Sequence, residues 1–253
     1  MKHIKERKEF LKTEGIKKSA SGFEFDWLND NPDDVMPLKY KKYRGRVMKM
    51  GDTTYSFYHA YELEKSEYST ELMKSLKMLE GNPRDLDQVI NKAVIGFDNV
   101  FGLQNYDTII TPESSSLILS KIASTIKNKS GVANLFTDAF VKSASTDIHL
   151  DMDKVNALPE KTKKEVLRAF TKATDPSKPF KIKEIFSAHR KFFIDFLQFN
   201  TQNDRRLFNA VEGKDIILID DYKTSGTTIK EMLRQLSDLG AAKVTVFVFI
   251  KLG

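Results

Sequence analysis

The chain has 253 residues, 41 Lys/Arg against 35 Asp/Glu, 40% hydrophobic residues, 18 Phe and no Cys. Disulfides, thiolate nucleophiles and zinc–thiolate centres are thereby excluded, and no apolar run approaches the roughly 20 residues that cross a bilayer. The balance is that of a globular chain with ample core material, and the charged stretch 1–12 lacks the apolar centre of a secretory signal, so a cytoplasmic setting is expected.

Most of the net charge of +6 lies early: residues 1–50 carry 13 Lys/Arg and 8 Asp/Glu, a net of +5. Two clusters, Lys2, Lys5, Arg7, Lys8 and Lys39, Lys41, Lys42, Arg44, Arg46, could attract nucleic acid or a phosphate-rich ligand. A solvated face is the commoner meaning where no nucleic-acid motif accompanies such clusters, and nucleic acid is not the favoured partner.

Residues 1–18 read as a polar helix, and 19–37 as an irregular Gly/Asp/Asn/Pro-rich stretch holding the single Trp, Trp27. Residues 44–50 and 53–63, rich in Val, Tyr, Phe and Thr around Gly51-Asp52, predict a β-hairpin. A helix over 69–79 is broken at Gly81-Asn82-Pro83. Leu86, Ile90, Ala93, Val94 and Phe97 then share one face of a helix over 85–97. From here strands and helices alternate: strand 106–111, loop 112–116, helix 117–127, strand within 132–141. The polar segment 143–154 has no clear periodicity, and 160–172 and 183–199 are expected to be helical. Strand 215–219, loop 220–227, helix 228–239 and strand 243–250 follow. This alternation predicts an α/β fold, a parallel sheet with flanking helices, preceded by an N-terminal α+β extension with a β-hairpin. The expected division is an extension over 1–85 and a core over 86–253, with the hairpin outside the parallel sheet.

The chemistry concentrates in Ile216-Ile217-Leu218-Ile219-Asp220-Asp221-Tyr222-Lys223-Thr224-Ser225-Gly226-Thr227-Thr228. Four apolar residues make a strand buried on both faces. Two adjacent carboxylates at its end suit a hydroxyl-rich or cationic ligand. The hydroxyls and Gly before a helix form an anion site, where free N–H groups and the helix dipole converge. Ligands of open parallel sheets bind beyond the carboxyl ends of the strands, where this loop sits. Ribose 5-phosphate meets both demands. The plainer alternative, an Asp ordering a turn and a Thr capping a helix, does not account for the whole string.

The string resembles the phosphoribosyl-pyrophosphate motif of type I phosphoribosyltransferases, nearest in flavour to the competence-associated amidophosphoribosyltransferase-like subgroup. The resemblance implies that Asp220 and Asp221 act on the ribose hydroxyls, and touch Mg²⁺ only indirectly through a Mg-bound ligand. It implies that Thr224, Ser225, Gly226, Thr227 and Thr228 surround the 5-phosphate. Tyr222 and Lys223 depart from the small hydrophobic residues usual there. Thr224 stands where base-salvage members often carry an acid, which makes purine salvage less expected. A second match, Asp107 to Ser116, resembles the first core strand and its pyrophosphate loop, with Glu113, Ser114, Ser115 and Ser116 offering backbone N–H groups to the diphosphate. A helix start capped by Ser explains that segment equally well on its own. Lys142, opening the family's flexible hood, is a further candidate phosphate ligand.

The implied activity is transfer of the phosphoribosyl group from phosphoribosyl pyrophosphate to a nitrogen nucleophile, a base or an amine, with Mg²⁺ and release of diphosphate. The alternative is a non-catalytic binder of a phosphoribosyl ligand or of nucleic acid on the same fold. His149 with Asp147, Asp151 and Asp153 forms a polar cluster, for which an exposed role is preferred over a metal.

Overall fold

The structure is a computed structural model. It describes residues 15–19, 22–26, 35–40, 48–50, 52–63, 77, 86–177, 180–200, 204–223 and 226–252. Strands β1 (Gly15–Ser19), β2 (Gly22–Asp26), β3 (Val35–Tyr40), β4 (Met48–Met50) and β5 (Thr53–Leu63) come first. Next are α1 (Leu86–Phe101), β6 (Thr108–Pro112), α2 (Leu117–Ser130) and β7 (Asn134–Lys142). Shorter pieces follow: β8 (His149–Leu150), α3 (Met152–Asn156), α4 (Glu160–Ala173), β9 (Phe193–Ile194) and β10 (Leu197–Phe199). Then come α5 (Asp204–Val211), β11 (Asp215–Lys223), α6 (Thr227–Asp238) and β12 (Lys243–Leu252).

Ile216, Ile217, Leu218 and Ile219 are all inaccessible to solvent, as a strand with neighbours on both edges and layers on both faces requires. β11 pairs in parallel with β6 and with β12. β7 extends the parallel block beyond β6, and β5 extends it beyond β12. Antiparallel strands flank it, β10 against β7 and β3 against β5, within a ten-stranded sheet. One face packs Ile217, Ile219 and Phe247 against α1 and α2; the other packs Ile216, Leu218 and Val246 against α5, α6 and the residues around β8–β10.

The hairpin is present, with Met50 opposite Thr53. Its expected place outside the parallel sheet is corrected by the structure. β5 runs parallel to β12 from Thr54 opposite Lys243 to Leu63 opposite Leu252. Tyr58 and Tyr61 donate hydrogen bonds to the Ala93 and Val89 carbonyls of α1. Tyr58 also lies 5.4 Å from Phe97, edge to face. The turn residues disclose a hairpin, but nothing local to 53–63 discloses a partner so far along the chain.

Three further expectations give way. Residues 15–18, expected in a helix, lie in β1, and the irregular stretch 19–37 contains β2 and the start of β3. Residues 183–199 are not helical: single turns at Ile182–Glu184 and Arg190–Phe192 lead into β9 and β10. Phe192, Phe193, Phe196 and Leu197 are buried there, and aromatic residues that find strand partners prefer the pleated conformation to helical spacing. β11 does not end at residue 219: Asp220, Tyr222 and Lys223 stay in register with Val248, Ile250 and Lys251. The helix expected over 69–79 lies outside the described residues apart from Lys77, which is helical.

Candidate functional site

Because β6, β7 and β11 run parallel, their C-terminal ends meet one edge of the sheet. That geometry gathers Glu113–Ser116, Lys142 and the residues after Ile219, which are far apart in sequence. Side chains of the acid pair turn in different environments. Asp221 is 5% exposed, whereas Asp220 is half-buried. The Asp220 carboxylate accepts the Asp221 backbone N–H at 3.0 Å, and the Asp221 carboxylate accepts the Tyr222 N–H at 2.8 Å.

Lys77 completes this cluster. Its ammonium lies 3.3 Å from Asp221 Oδ2 and 4.7 Å above the Tyr222 ring. Burial alone would lower the Lys77 pKa, but the charge of Asp221 and the nearby Tyr222 reverse that and hold it above the ordinary lysine value. Burial and then the negative charge of Asp221 push the Asp220 carboxyl up to about 7, with Lys77 pulling the other way. No sequence signal points to Lys77, since its partner lies far along the chain on β11 and no motif spans the two.

The phosphate-loop candidates divide. Thr224 and Ser225 lie outside the described residues. Gly226 caps α6 in the left-handed conformation, φ 73°. Thr227 and Thr228 open the helix, whose first-turn N–H groups lie at this edge of the sheet. Lys223 is half-buried. Its ammonium lies 4.9 Å over the Phe57 ring, and its Cε would meet a Cβ at Gly226 at 2.7 Å.

In the second loop, two of the four expected backbone donors are already engaged. Glu113 N–H donates to the Phe140 carbonyl at 2.8 Å, and Ser116 N–H donates to Ser114 Oγ at 3.1 Å. Ser116 Oγ accepts the Leu119 N–H as the cap of α2. Ser114 and Ser115, both exposed, keep their backbone donors available. Lys142 is exposed at the last position of β7. His149 pairs with Asp195 at 3.2 Å, and among the described residues no group of three His, Cys, Asp or Glu could hold a metal ion.

The family model for the phosphoribosyl transferase domain matches residues 75–252. The chain belongs to the phosphoribosyltransferase family. The phosphoribosyltransferase match takes in Lys77, both loops and the acid pair, and leaves β5 ahead of it although β5 is paired to β12. Two relatives carry the name transcriptional regulator GfcR. One, from Methanobrevibacter smithii, is 42% identical over 43 residues, 17% of this chain and 21% of that protein. The other, from Methanococcus vannielii, is 39% identical over 46 residues, 18% of this chain and 22% of that protein. The chain thus aligns with about a fifth of the length of each. Among the described residues no helix is long and apolar enough to cross a membrane.

Proposed function

We propose that this phosphoribosyltransferase domain binds phosphoribosyl pyrophosphate at the C-terminal edge of β6, β7 and β11 and transfers the phosphoribosyl group to a nitrogen nucleophile. The observation that carries the reading is that β11 ends in Asp220, Asp221, Tyr222 and Lys223 and that α6 begins a few residues on, at the left-handed Gly226. It sets carboxylate acceptors for ribose hydroxyls beside N–H donors for a phosphate on one short path.

In the reaction, the bond from the anomeric carbon to the diphosphate oxygen breaks as the nucleophile's nitrogen bonds that carbon. The electron pair leaves with diphosphate, and the nitrogen gives up a proton. Asp220 and Asp221 accept the ribose hydroxyls and face the positive charge that develops on the ring. The α6 amides, with Thr224, Ser225, Thr227 and Thr228, hold the 5-phosphate; Ser114 and Ser115 amides and Lys142 receive the diphosphate. Lys77 holds Asp221 in place until the ribose hydroxyls compete for it. A single Mg²⁺ carried on the diphosphate would neutralise the leaving group. The residues suit that indirect role, since the acid pair is already held by Lys77 and backbone donors and, among the described residues, belongs to no three-ligand set.

A second reading, a regulator that binds the same ligand without turnover, draws on the name of the two relatives, transcriptional regulator, and on the Lys77–Asp221 contact. Calorimetric titration of phosphoribosyl pyrophosphate with Mg²⁺, beside an assay of diphosphate release over a panel of bases and amines, separates them. Hydrogen bonds to charged groups contribute about 1.5–3 kcal/mol, so Asp220→Asn and Asp221→Asn should each weaken binding by roughly one to two powers of ten. Binding without release across the panel favours the regulator. Equal affinity of the double Asn variant and the parent sinks both.

A further inference from the structure

On the sheet face away from Lys77, a cavity of about 700 Å³ opens between β5, α6 and residues 190–196. Its aromatic lining includes Tyr55 and Phe57, both half-buried, with ring centroids 6.1 Å apart and edge to face. Phe193 and Phe196 add two more rings.

The charge in this lining is one-sided. Four of its cations are partnered: Lys154 by Asp151, Lys251 by Glu62, Arg234 by Asp195, Glu231 and Asp238, and Arg190 by the Ile185 carbonyl, to which its Nε donates. Lys191, Lys223 and Lys230 also line it, and none has a carboxylate within ion-pair distance among the described residues. Lys191 and Lys223 instead place their ammonium groups 5.0 Å over Phe192 and 4.9 Å over Phe57. Burial, and then the positive charges of Lys230 and Lys251, hold the Lys223 pKa below the ordinary lysine value. Uncompensated positive charge beside aromatic faces suits an anion that also carries a flat ring.

We propose that this cavity is a second ligand site, taking a mononucleotide: a planar base against Tyr55 and Phe57, and phosphates against Lys191, Lys223 and Lys230. Its volume lies within the roughly 300–1,000 Å³ usual for small-molecule sites. A nucleic-acid strand would call for a groove that tracks several nucleotides. Neither Asp220 nor Asp221 lines the cavity; Tyr222 packs into the core on the α1 side and Phe57 into the core on the α6 side, and the cavity meets the proposed 5-phosphate site only at the start of α6, where Thr227 lines it. The proposal therefore stands whether or not the domain turns over phosphoribosyl pyrophosphate.

The test is calorimetric titration of the full chain with ATP at one low salt concentration and without divalent cations. Binding in the micromolar range is expected, weakened at least about tenfold in Lys191→Gln/Lys230→Gln. Both lysines are exposed, so that variant should fold as the parent does. Asp220→Asn/Asp221→Asn should bind ATP as the parent does. Loss of ATP binding in that Asn variant would place the nucleotide in the ribose site and overturn the proposal. So would unchanged affinity in the lysine variant, or no heat with ATP. Inorganic phosphate displacing ATP at equal concentration would remove the base from the argument and overturn it. A thymidine dodecamer that competes at far lower concentration would assign the site to a nucleic-acid strand instead.

Discussion

The Lys77 ammonium lies 3.3 Å from Asp221 Oδ2, joining a helical residue ahead of α1 to the end of β11. Asp221 is almost fully buried, and Lys77 is 29% exposed. Removing one partner of such a pair strands a buried carboxylate. Because Lys77 still reaches water, the cost should fall below the 3–5 kcal/mol of a fully buried pair, at about 1–2 kcal/mol. Lys77→Met should therefore lower the melting temperature by several degrees. Adding Asp221→Asn should recover part of the loss, a coupling that a double-mutant cycle in thermal unfolding reads directly. Additive losses would show that the pair is not coupled.

Asp220 gives a pH dependence whose sign is fixed. Its carboxyl sits at about 7 in the folded chain, against about 3.9 when unfolded. The folded state therefore binds the proton more tightly, and this group's support for folding is full below about pH 4 and lost as pH rises through 7. Asp220→Asn lacks that penalty. Its melting temperature should match the parent near pH 4 and exceed it at pH 8, as melting curves across that range would show. The reverse order at pH 8 would mean that the ionised Asp220 is stabilised by contacts other than those described.

The alternation of strands and helices, and the core of β6, β11, α6 and β12, were legible in the sequence because their signals are local: an apolar run, a turn residue, an amphipathic spacing. The placing of Gly226 just before a helix was legible for the same reason, though its left-handed conformation was not. What sequence could not show depends on distant partners. β5 owes its place to β12, the run 192–199 to β7 and β8, and Lys77 to Asp221. The contact of Lys223 with Phe57 was equally hidden, because Phe57 comes from β5.

Tyr58 and Tyr61 test whether β5 is integral to the core. Each hydroxyl is buried and donates to an α1 carbonyl, at 3.1 and 3.0 Å. Tyr→Phe keeps the ring and removes one donor, leaving a helix carbonyl to its helical partner. A net loss of about 1 kcal/mol is expected for each. Denaturant melts of Tyr58→Phe and Tyr61→Phe should show lower midpoints with unchanged slope, the mark of stability lost without a change in compactness. A hairpin apart from the core would leave the midpoint where it is.

Gly226 is where conformation and the proposed ligand meet. Its φ of 73° is one that residues with a Cβ adopt at a cost, and a Cβ there would sit 2.7 Å from Lys223 Cε. The collision is with the far end of a flexible chain, so Lys223 can move aside; the backbone strain cannot be relieved that way. Gly226→Ala should thus destabilise by about 1–2 kcal/mol, and Gly226→Ala/Lys223→Ala should recover little of it. If the 5-phosphate sits against the first turn of α6, Gly226→Val should also lose affinity for phosphoribosyl pyrophosphate beyond its effect on stability, because the side chain enters the space where backbone approaches phosphate. Titration at a temperature where the variant is fully folded separates the two effects. Parent-like affinity in the folded valine variant would remove the 5-phosphate from this loop.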